Sequence, residues 1–390
     1  MDKYFHVFVI QNEMSRKYQV CTNCVMDTTD SVIKFDEKGQ CDHCKNYYEN
    51  VLPNWHPDEI GKKQLDEIVL KIKEEGKGKE YDCIIGLSGG VDSSYLLCYA
   101  VEVLKLRPLV FAVDTGWNLN VAVQNIEKIV KGLNLDLYTE IINWNEMKDL
   151  QLAFFKSQVP YQDLPQDHVI FAALYNHAVK NNIKYVLTGG NYSTECVREP
   201  LEWVYQNDLV MIKDIHKKFG TKPLKTLPLC SMFKAHIYYK YIKGMKVIKP
   251  LDLISYKKEE VISYLEKKFG WERYANKHFE SVFTRFYEGY WLIKKFGYDK
   301  RRAHFSSLVL TGQMTRKEAL EKLSQPPYDE KLALQDLEYI AKKLGLTKDE
   351  FVNLMNQENK TYKDYRSVDR LINLAVKISK KLGLEKRNFR

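Results

Sequence analysis

The chain has 390 residues, 60 Lys+Arg against 51 Asp+Glu for a formal charge of +9, and 45% hydrophobic residues with 13% aromatics. That composition supports a large core and excludes a mainly disordered chain, and at roughly 150 residues per domain the length predicts two or three domains. No apolar run approaches the ~18 residues that span a bilayer, and the N-terminal stretch lacks a signal peptide's long apolar segment, so the expected setting is cytoplasmic with no membrane span. The positive excess is spread thinly, with only Lys300-Arg301-Arg302 and Lys386-Arg387 as short clusters, which suits an anionic small ligand better than a nucleic acid.

Residues 1–13 carry no usable pattern and read as an extension. Residues 14–56 hold Cys21, Cys24, Cys41 and Cys44, spaced C-x2-C-x16-C-x2-C. In a reducing compartment two such knuckles suit a tetrahedral metal, Zn2+, better than disulfides, and four protein ligands make the site structural rather than catalytic. His43, inside the second knuckle, is an alternative ligand. The other four cysteines, Cys83, Cys98, Cys196 and Cys230, are scattered.

Residues 57–80 read as a helix followed by a linker, from the apolar spacing of Ile60, Leu65, Ile68 and Ile72. From Tyr81 to about residue 250 short apolar strands (YDCIIGL, RPLVFAVD, DLYTEII, IKYVLTGG and MKVIKPL) alternate with helical stretches, which predicts a parallel, doubly wound α/β sheet. Residues 251–390 read as a helical region. The aromatic run Phe283–Trp291 is expected to be helical core rather than a base-stacking platform.

The chemistry concentrates in SGGVDSS, Ser88 to Ser94, between the first strand and its helix. Gly89 and Gly90 permit positive φ and close backbone approach, the helix beginning near Asp92 aims its amides at the same point, and Ser88, Ser93 and Ser94 supply hydroxyls. The result is an anion cradle at the carboxyl end of a parallel strand. Neither G-x-x-x-x-G-K-[ST] nor G-x-G-x-x-G occurs at this strand, so a P-loop kinase or GTPase and a dinucleotide-dependent dehydrogenase are not indicated.

This strand–loop–helix resembles the PP-loop of the ATP pyrophosphatase superfamily, whose members cleave ATP between the α and β phosphates. The resemblance implies that Ser88, Gly89, Gly90, Asp92, Ser93 and Ser94 grip pyrophosphate, with Ser88 and Asp92 catalytic and Asp92 placing Mg2+. It also implies that Asp114 and Thr115, in AVDTGWN, contact the adenosine. Gly189, Gly190 and Asn191, in LTGGNYSTE, would close the pocket from the far side, with Glu195 nearby. Taken with SRKYQVCTNCVMDTTD, FDEKGQCDHC, YQDLPQDHVIFAALYNHAVK and FTRFYEGYWLIKKFGYDKRRAHFSSLVLTGQMTRKEAL, the chain resembles the N-acetyl sugar amidotransferases of bacterial surface-polysaccharide and sugar-acid biosynthesis over about residues 14–325.

That family implies a definite reaction. ATP adenylates the oxygen of a sugar's acetamido group, ammonia attacks the imidate carbon, and AMP leaves, giving an acetamidino sugar. The ammonia would come from a separate glutaminase subunit, and the substrate would be an acidic or nucleotide-linked acetamido sugar. The cluster Lys300, Arg301, Arg302 and His304 is the expected anion-binding patch, with Glu195 and Arg285, and then Asp167 and His168, as weaker substrate candidates. The competing reading is a tRNA-modifying PP-loop enzyme, a thiolase or lysidine-type synthetase, for which Cys196 is the only well-placed thiol. A non-catalytic scaffold is the third.

Overall fold

A computed structural model describes residues 16–205, 208–274, 277, 279–369 and 378. The expected extension 1–13, the expected helix after Val368 and the pair Lys386-Arg387 fall largely or wholly outside the described residues.

The centre is a five-stranded, all-parallel sheet: β1 (Cys83–Gly86), β2 (Pro108–Asp114), β3 (Leu137–Ile141), β4 (Tyr185–Leu187) and β5 (Lys246–Ile248), in the order β3-β2-β1-β4-β5. All five strands lie where the apolar runs predict them. β1 and β4 are central and buried along nearly their whole length, as parallel strands covered on both faces must be. The chain winds outward from β1 through β2 to β3, then crosses to β4 and β5 on the other side. The topological switch point therefore lies between β1 and β4, where such sheets open a ligand crevice at their carboxyl ends.

One face packs Ile85, Leu96, Ile129 and Leu265 with Leu65, Val69 and Ile72 of the helix Glu59–Glu75. The other face sets Ile84, Leu109 and Phe111 against Ala173 and Leu174 of the helix Leu164–Lys180. The aromatic run is core, as expected. Phe283, Phe286, Tyr287 and Trp291 lie on a continuous helical stretch with a π-helical middle, and they pack on Phe155, Leu337 and Phe351. Helix Leu209–Phe219 has no counterpart in the sequence reading, whereas Arg301–Leu310 and Lys348–Met355 fall inside the region read as helical. Among the described residues, no helix is long and apolar enough to cross a membrane.

The cysteine-rich segment docks against the C-terminal helices. Arg302 pairs with Asp27 at 2.9 Å and donates to the Val25 carbonyl at 2.9 Å, while Val25 N donates to Ser306 Oγ at 3.1 Å. The guanidinium of Arg316 binds the carbonyls of Cys21 and Cys24 at 2.7–3.1 Å, so a distant helix gathers the first knuckle.

Candidate active site

The loop after β1 folds as the glycines require. Gly89 has φ +84°, and a Cβ there would lie 2.7 Å from the Ala122 carbonyl oxygen. Its own carbonyl accepts from Trp271 Nε1 at 3.1 Å and Tyr274 Oη at 3.2 Å. Ser88 Oγ lies 3.1 Å from Ser93 Oγ and accepts from Gly90 N at 3.2 Å, which closes the turn. The helix Val91–Glu102 then starts at Gly90 with no side-chain cap, leaving first-turn amides available to an anion. Ser94 is buried beneath the turn, its hydroxyl without a partner among the described residues.

Gly189, at the tip of β4, meets this loop. A Cβ there would stand 2.9 Å from the Asp92 carbonyl carbon and 3.0 Å from Ser93 N, so the two strand tips touch backbone to backbone. Asn191 fixes the tip's shape by accepting from Thr194 N and donating to the Gly189 carbonyl, each at 3.0 Å. On the other flank Asp114 Oδ1 accepts from Gly116 N at 2.7 Å, and the buried Thr115 donates to Gln166 Oε1 at 2.8 Å.

Asp92 joins the loop to distant residues. It accepts from Tyr256 Oη, and Lys277 Nζ stands 3.5 Å from its other oxygen. Lys277 also binds Glu195 at 2.5 Å. Burial works against the charge on Lys277, yet Asp92 and Glu195 outweigh it and hold the ammonium above its usual range. Lys258, beside the same carboxylate, is pulled below the lysine range by burial. Its Nζ lies 3.2 Å from His304 Nε2, while His304 Nδ1 lies 3.2 Å from the Thr194 carbonyl. A carbonyl only accepts, so Nδ1 carries the proton and Nε2 accepts from Lys258.

Glu195, Lys277 and His304 open onto a cavity of about 600 Å³ beyond the loop. Of the expected substrate residues, Glu195, Lys300, Arg301 and His304 line it, as does Asp167. Lys300 is held by Glu199 at 3.1 Å and Glu288 at 2.5 Å; burial opposes its charge and the two carboxylates sustain it. Arg301 forks onto Asp299 at 2.6–3.1 Å and reaches the carbonyls of Lys322 and Gln325. Arg302 and Arg285 are directed elsewhere, Arg302 to Asp27 and Arg285 to Asp336 at 2.7–2.8 Å. The expected basic patch is thus dispersed: Lys300, Arg302 and Arg285 answer carboxylates from other parts of the chain, Arg301 answers the neighbouring Asp299, and His304 binds the Thr194 carbonyl. His168 accepts from Cys230 N at 3.0 Å, a contact that fixes the segment after residue 229.

Lys277, Tyr256, Lys258 and Trp271 were not found from sequence. They lie more than 160 residues beyond the loop and carry no motif of their own.

The four knuckle thiols are buried and mutually close, with all four Sγ atoms within 4.8 Å and neighbouring pairs at 3.5–3.7 Å. A tetrahedron with metal–sulfur bonds of about 2.3 Å has sulfur–sulfur edges of about 3.8 Å, so the set fits a metal ion with no further position open. Asn23 N, Cys24 N and Cys41 N donate to Cys21 Sγ at 3.2–3.4 Å, as they would to a thiolate. His43 Nε2 lies 2.8 Å from Asp30 Oδ2, and the four thiols form the group without it.

Residues 280–382 match a family model described as LPS biosynthesis protein WbpG-like, C-terminal domain. An uncharacterized protein of Methanocaldococcus jannaschii is 28% identical over 211 residues, 53% of this chain and 73% of that one. Among solved structures, the NH3-dependent NAD synthetase of Campylobacter jejuni covers 77% of this chain and 98% of its own at 16% identity and a TM-score of 0.31. The U34-tRNA thiolase NcsA of Methanococcus maripaludis, solved with its 4Fe-4S cluster, covers 68% and 81% at 16% identity and a TM-score of 0.33. Likenesses of that size do not bear on the reaction. The C-terminal quarter of the chain is thus similar to the C-terminal domain of WbpG-like proteins, and it follows the Ser88–Ser94 loop and the two cysteine knuckles in the sequence.

Proposed function

We propose that this protein is an ATP-dependent, AMP-forming amidotransferase that converts the acetamido group of a sugar into an acetamidino group. The observation that carries the reading is the junction at Asp92. The phosphate-cradling loop is linked through Asp92, Lys277 and Glu195 to the wall of a 600 Å³ cavity, and the WbpG-like domain supplies the opposite wall. A nucleotide on the loop and a sugar in the cavity would meet there.

The chemistry follows from amide resonance. An acetamido carbon is a poor electrophile until its oxygen becomes a leaving group, so adenylation of that oxygen is the enabling step and no side-chain nucleophile is required. The first-turn amides stabilise the negative charge on departing pyrophosphate, and Lys277 holds Asp92 and Glu195 in place beside them. Mg2+ would be held by Asp92, with Glu280, whose carboxylate comes within 2.9 Å of a Cβ placed on Gly90, as the other acid against the loop; it would supply charge neutralisation. Ser88 shapes the turn. His304, which lines the cavity and is tied to Lys258, sets the polarity of the wall that the incoming nitrogen crosses.

Cys196 is buried, and burial pushes its thiol up to about 11, a poor state for glutamine hydrolysis or sulfur transfer. That supports ammonia delivered by a separate glutaminase, and it weakens the tRNA-thiolation reading. The four-thiolate set is assigned to a structural Zn2+.

The test incubates the protein with MgATP, ammonium and a panel of acetamido sugars, following AMP and sugar mass. A one-unit mass decrease of the sugar, as O is replaced by NH, with stoichiometric AMP is the expected result. AMP released only with tRNA would overturn the reading.

A further inference from the structure

The cations lining the cavity divide into two groups. Lys277, Lys300 and Arg301 are each matched in place, to Glu195, to Glu199 and Glu288, and to Asp299. Arg198 and Lys249 line the same cavity and are exposed, and neither makes an ion pair or hydrogen bond among the described residues. The Lys249 ammonium lies 5.8 Å from the centre of the Tyr192 ring. Both residues rise from the carboxyl edge of the sheet. Lys249 directly follows β5, and Arg198 follows the short helix Tyr192–Glu195 beyond β4. Lys249 also borders the loop side, since a Cβ on Gly190 would lie 3.7 Å from its Nζ.

We propose that Arg198 and Lys249 are the anion-recognition pair of this cavity, taking a carboxylate or phosphate group on the sugar substrate. The proposal rests on reading the cavity as the sugar pocket. The matched cations are poor candidates because drawing any of them onto a ligand strands a carboxylate in a half-buried wall. Lys300 is the clearest case, with two carboxylates to leave behind. Arg198 can turn to a ligand at no such cost, and its planar fork presents paired donors to a carboxylate or phosphate, whereas Lys249 acts as a point charge. Because both remain hydrated, their effect is discrimination between charged and neutral sugars rather than turnover.

The experiment compares three acetamido sugars in the ammonium-dependent AMP assay: N-acetylneuraminate as a carboxylate without phosphate, UDP-N-acetylglucosamine as a phosphate without carboxylate, and free N-acetylglucosamine as the neutral control. Wild-type protein should favour one anionic sugar, which identifies the charged group recognised. Arg198→Ala and Lys249→Ala should each raise the KM for that sugar roughly tenfold or more, leaving the ATP KM and kcat unchanged. Arg198→Lys should recover part of the loss for a phosphate and little for a carboxylate. Equal losses on neutral and anionic sugars, a matching rise in ATP KM, or no preference in the wild type would overturn the pair.

Calorimetric titration of the two anionic sugars into wild type and Arg198→Ala separates this from the reaction itself. Weaker binding to the variant in the absence of AMP formation would keep the pair and sink the amidotransferase reading. Equal affinity, or no binding of either sugar to wild type, would sink the pair.

Discussion

Ser88–Ser94 and Lys300–His304 are both short runs dense in one kind of chemistry, and the protein uses them in opposite ways. The loop closes on itself. Its turn is made by Ser88, Gly90 and Ser93 hydrogen-bonding within five positions of one another, and distant residues only add to it. The basic run has no geometry of its own. Lys300 goes to Glu199 and Glu288, Arg301 to Asp299, Arg302 to Asp27 and His304 to Thr194 and Lys258. The helix Arg301–Leu310 rotates successive side chains by about 100°, so neighbours in sequence face different walls. A turn motif carries its structure with it, whereas a charge run states only how much charge is available.

The largest effect should come from the loop. Asp92→Asn keeps the shape of the side chain and leaves Lys277 its Glu195, so the fold should hold while AMP formation falls about a thousandfold or more, as when charge stabilisation is removed from a transition state. Circular dichroism and AMP release measured together check this, and an active variant would remove Asp92 from the chemistry. Arg302→Ala should do the reverse. It leaves the fully buried Asp27 without its cation, which costs about 3–5 kcal/mol, and the melting temperature should fall while the ratio of sugar KM to ATP KM stays fixed. A variant that melts normally and loses only sugar affinity would show that the run acts as a patch after all.

How far the sequence was legible follows the same division. The five strands, the loop and the four thiols could be read because each is specified by residues a few positions apart: apolar runs bounded by turns, glycines where φ must be positive, paired CxxC knuckles. The substrate wall could not. Lys277 and Tyr256 reach Asp92 across 164 to 185 positions from irregular segments, and nothing in their sequence surroundings marks them off from the chain's other lysines and tyrosines. Arg302 misled for the complementary reason. Its partner lies in the cysteine-rich segment, and only the docking of that segment shows that the cation is already taken.

A smaller effect tests whether the loop is as self-contained as the comparison says. Gly189 belongs to another strand tip, yet a methyl group there would press on the Asp92–Ser93 backbone at 2.9–3.0 Å. Gly189→Ala should therefore lower kcat about hundredfold, equivalent to about 2.7 kcal/mol of overpacking strain passed to the loop. Its melting curve should move by only a few degrees. A larger drop in stability than in rate would mean that the contact supports the fold and not the geometry of the loop.

The smallest expected effect concerns Asp252, a long-range support on the loop side whose carboxyl titrates. Its carboxylate accepts from Tyr192 N at 2.5 Å, holding the start of the helix that carries Thr194 and Glu195. Burial raises this carboxyl from the usual 3.8 to about 6, with Lys249 pulling weakly the other way. Folding therefore favours the protonated acid. The stability this contributes is complete below about pH 4 and is lost as the pH rises through 6, because the folded state must then ionise a buried group that the unfolded chain ionises freely. Asp252→Asn keeps an acceptor for Tyr192 N and removes the titration. Relative to wild type it should gain on the order of 2 kcal/mol at pH 8 and nothing at pH 4. Denaturant unfolding at the two pH values measures the difference. A gain that is the same at both would locate the effect in packing. A loss at pH 8 would mean that the ionised carboxylate is what holds the β4 tip against the loop, and the loop would then depend on distant charge as much as the basic run does.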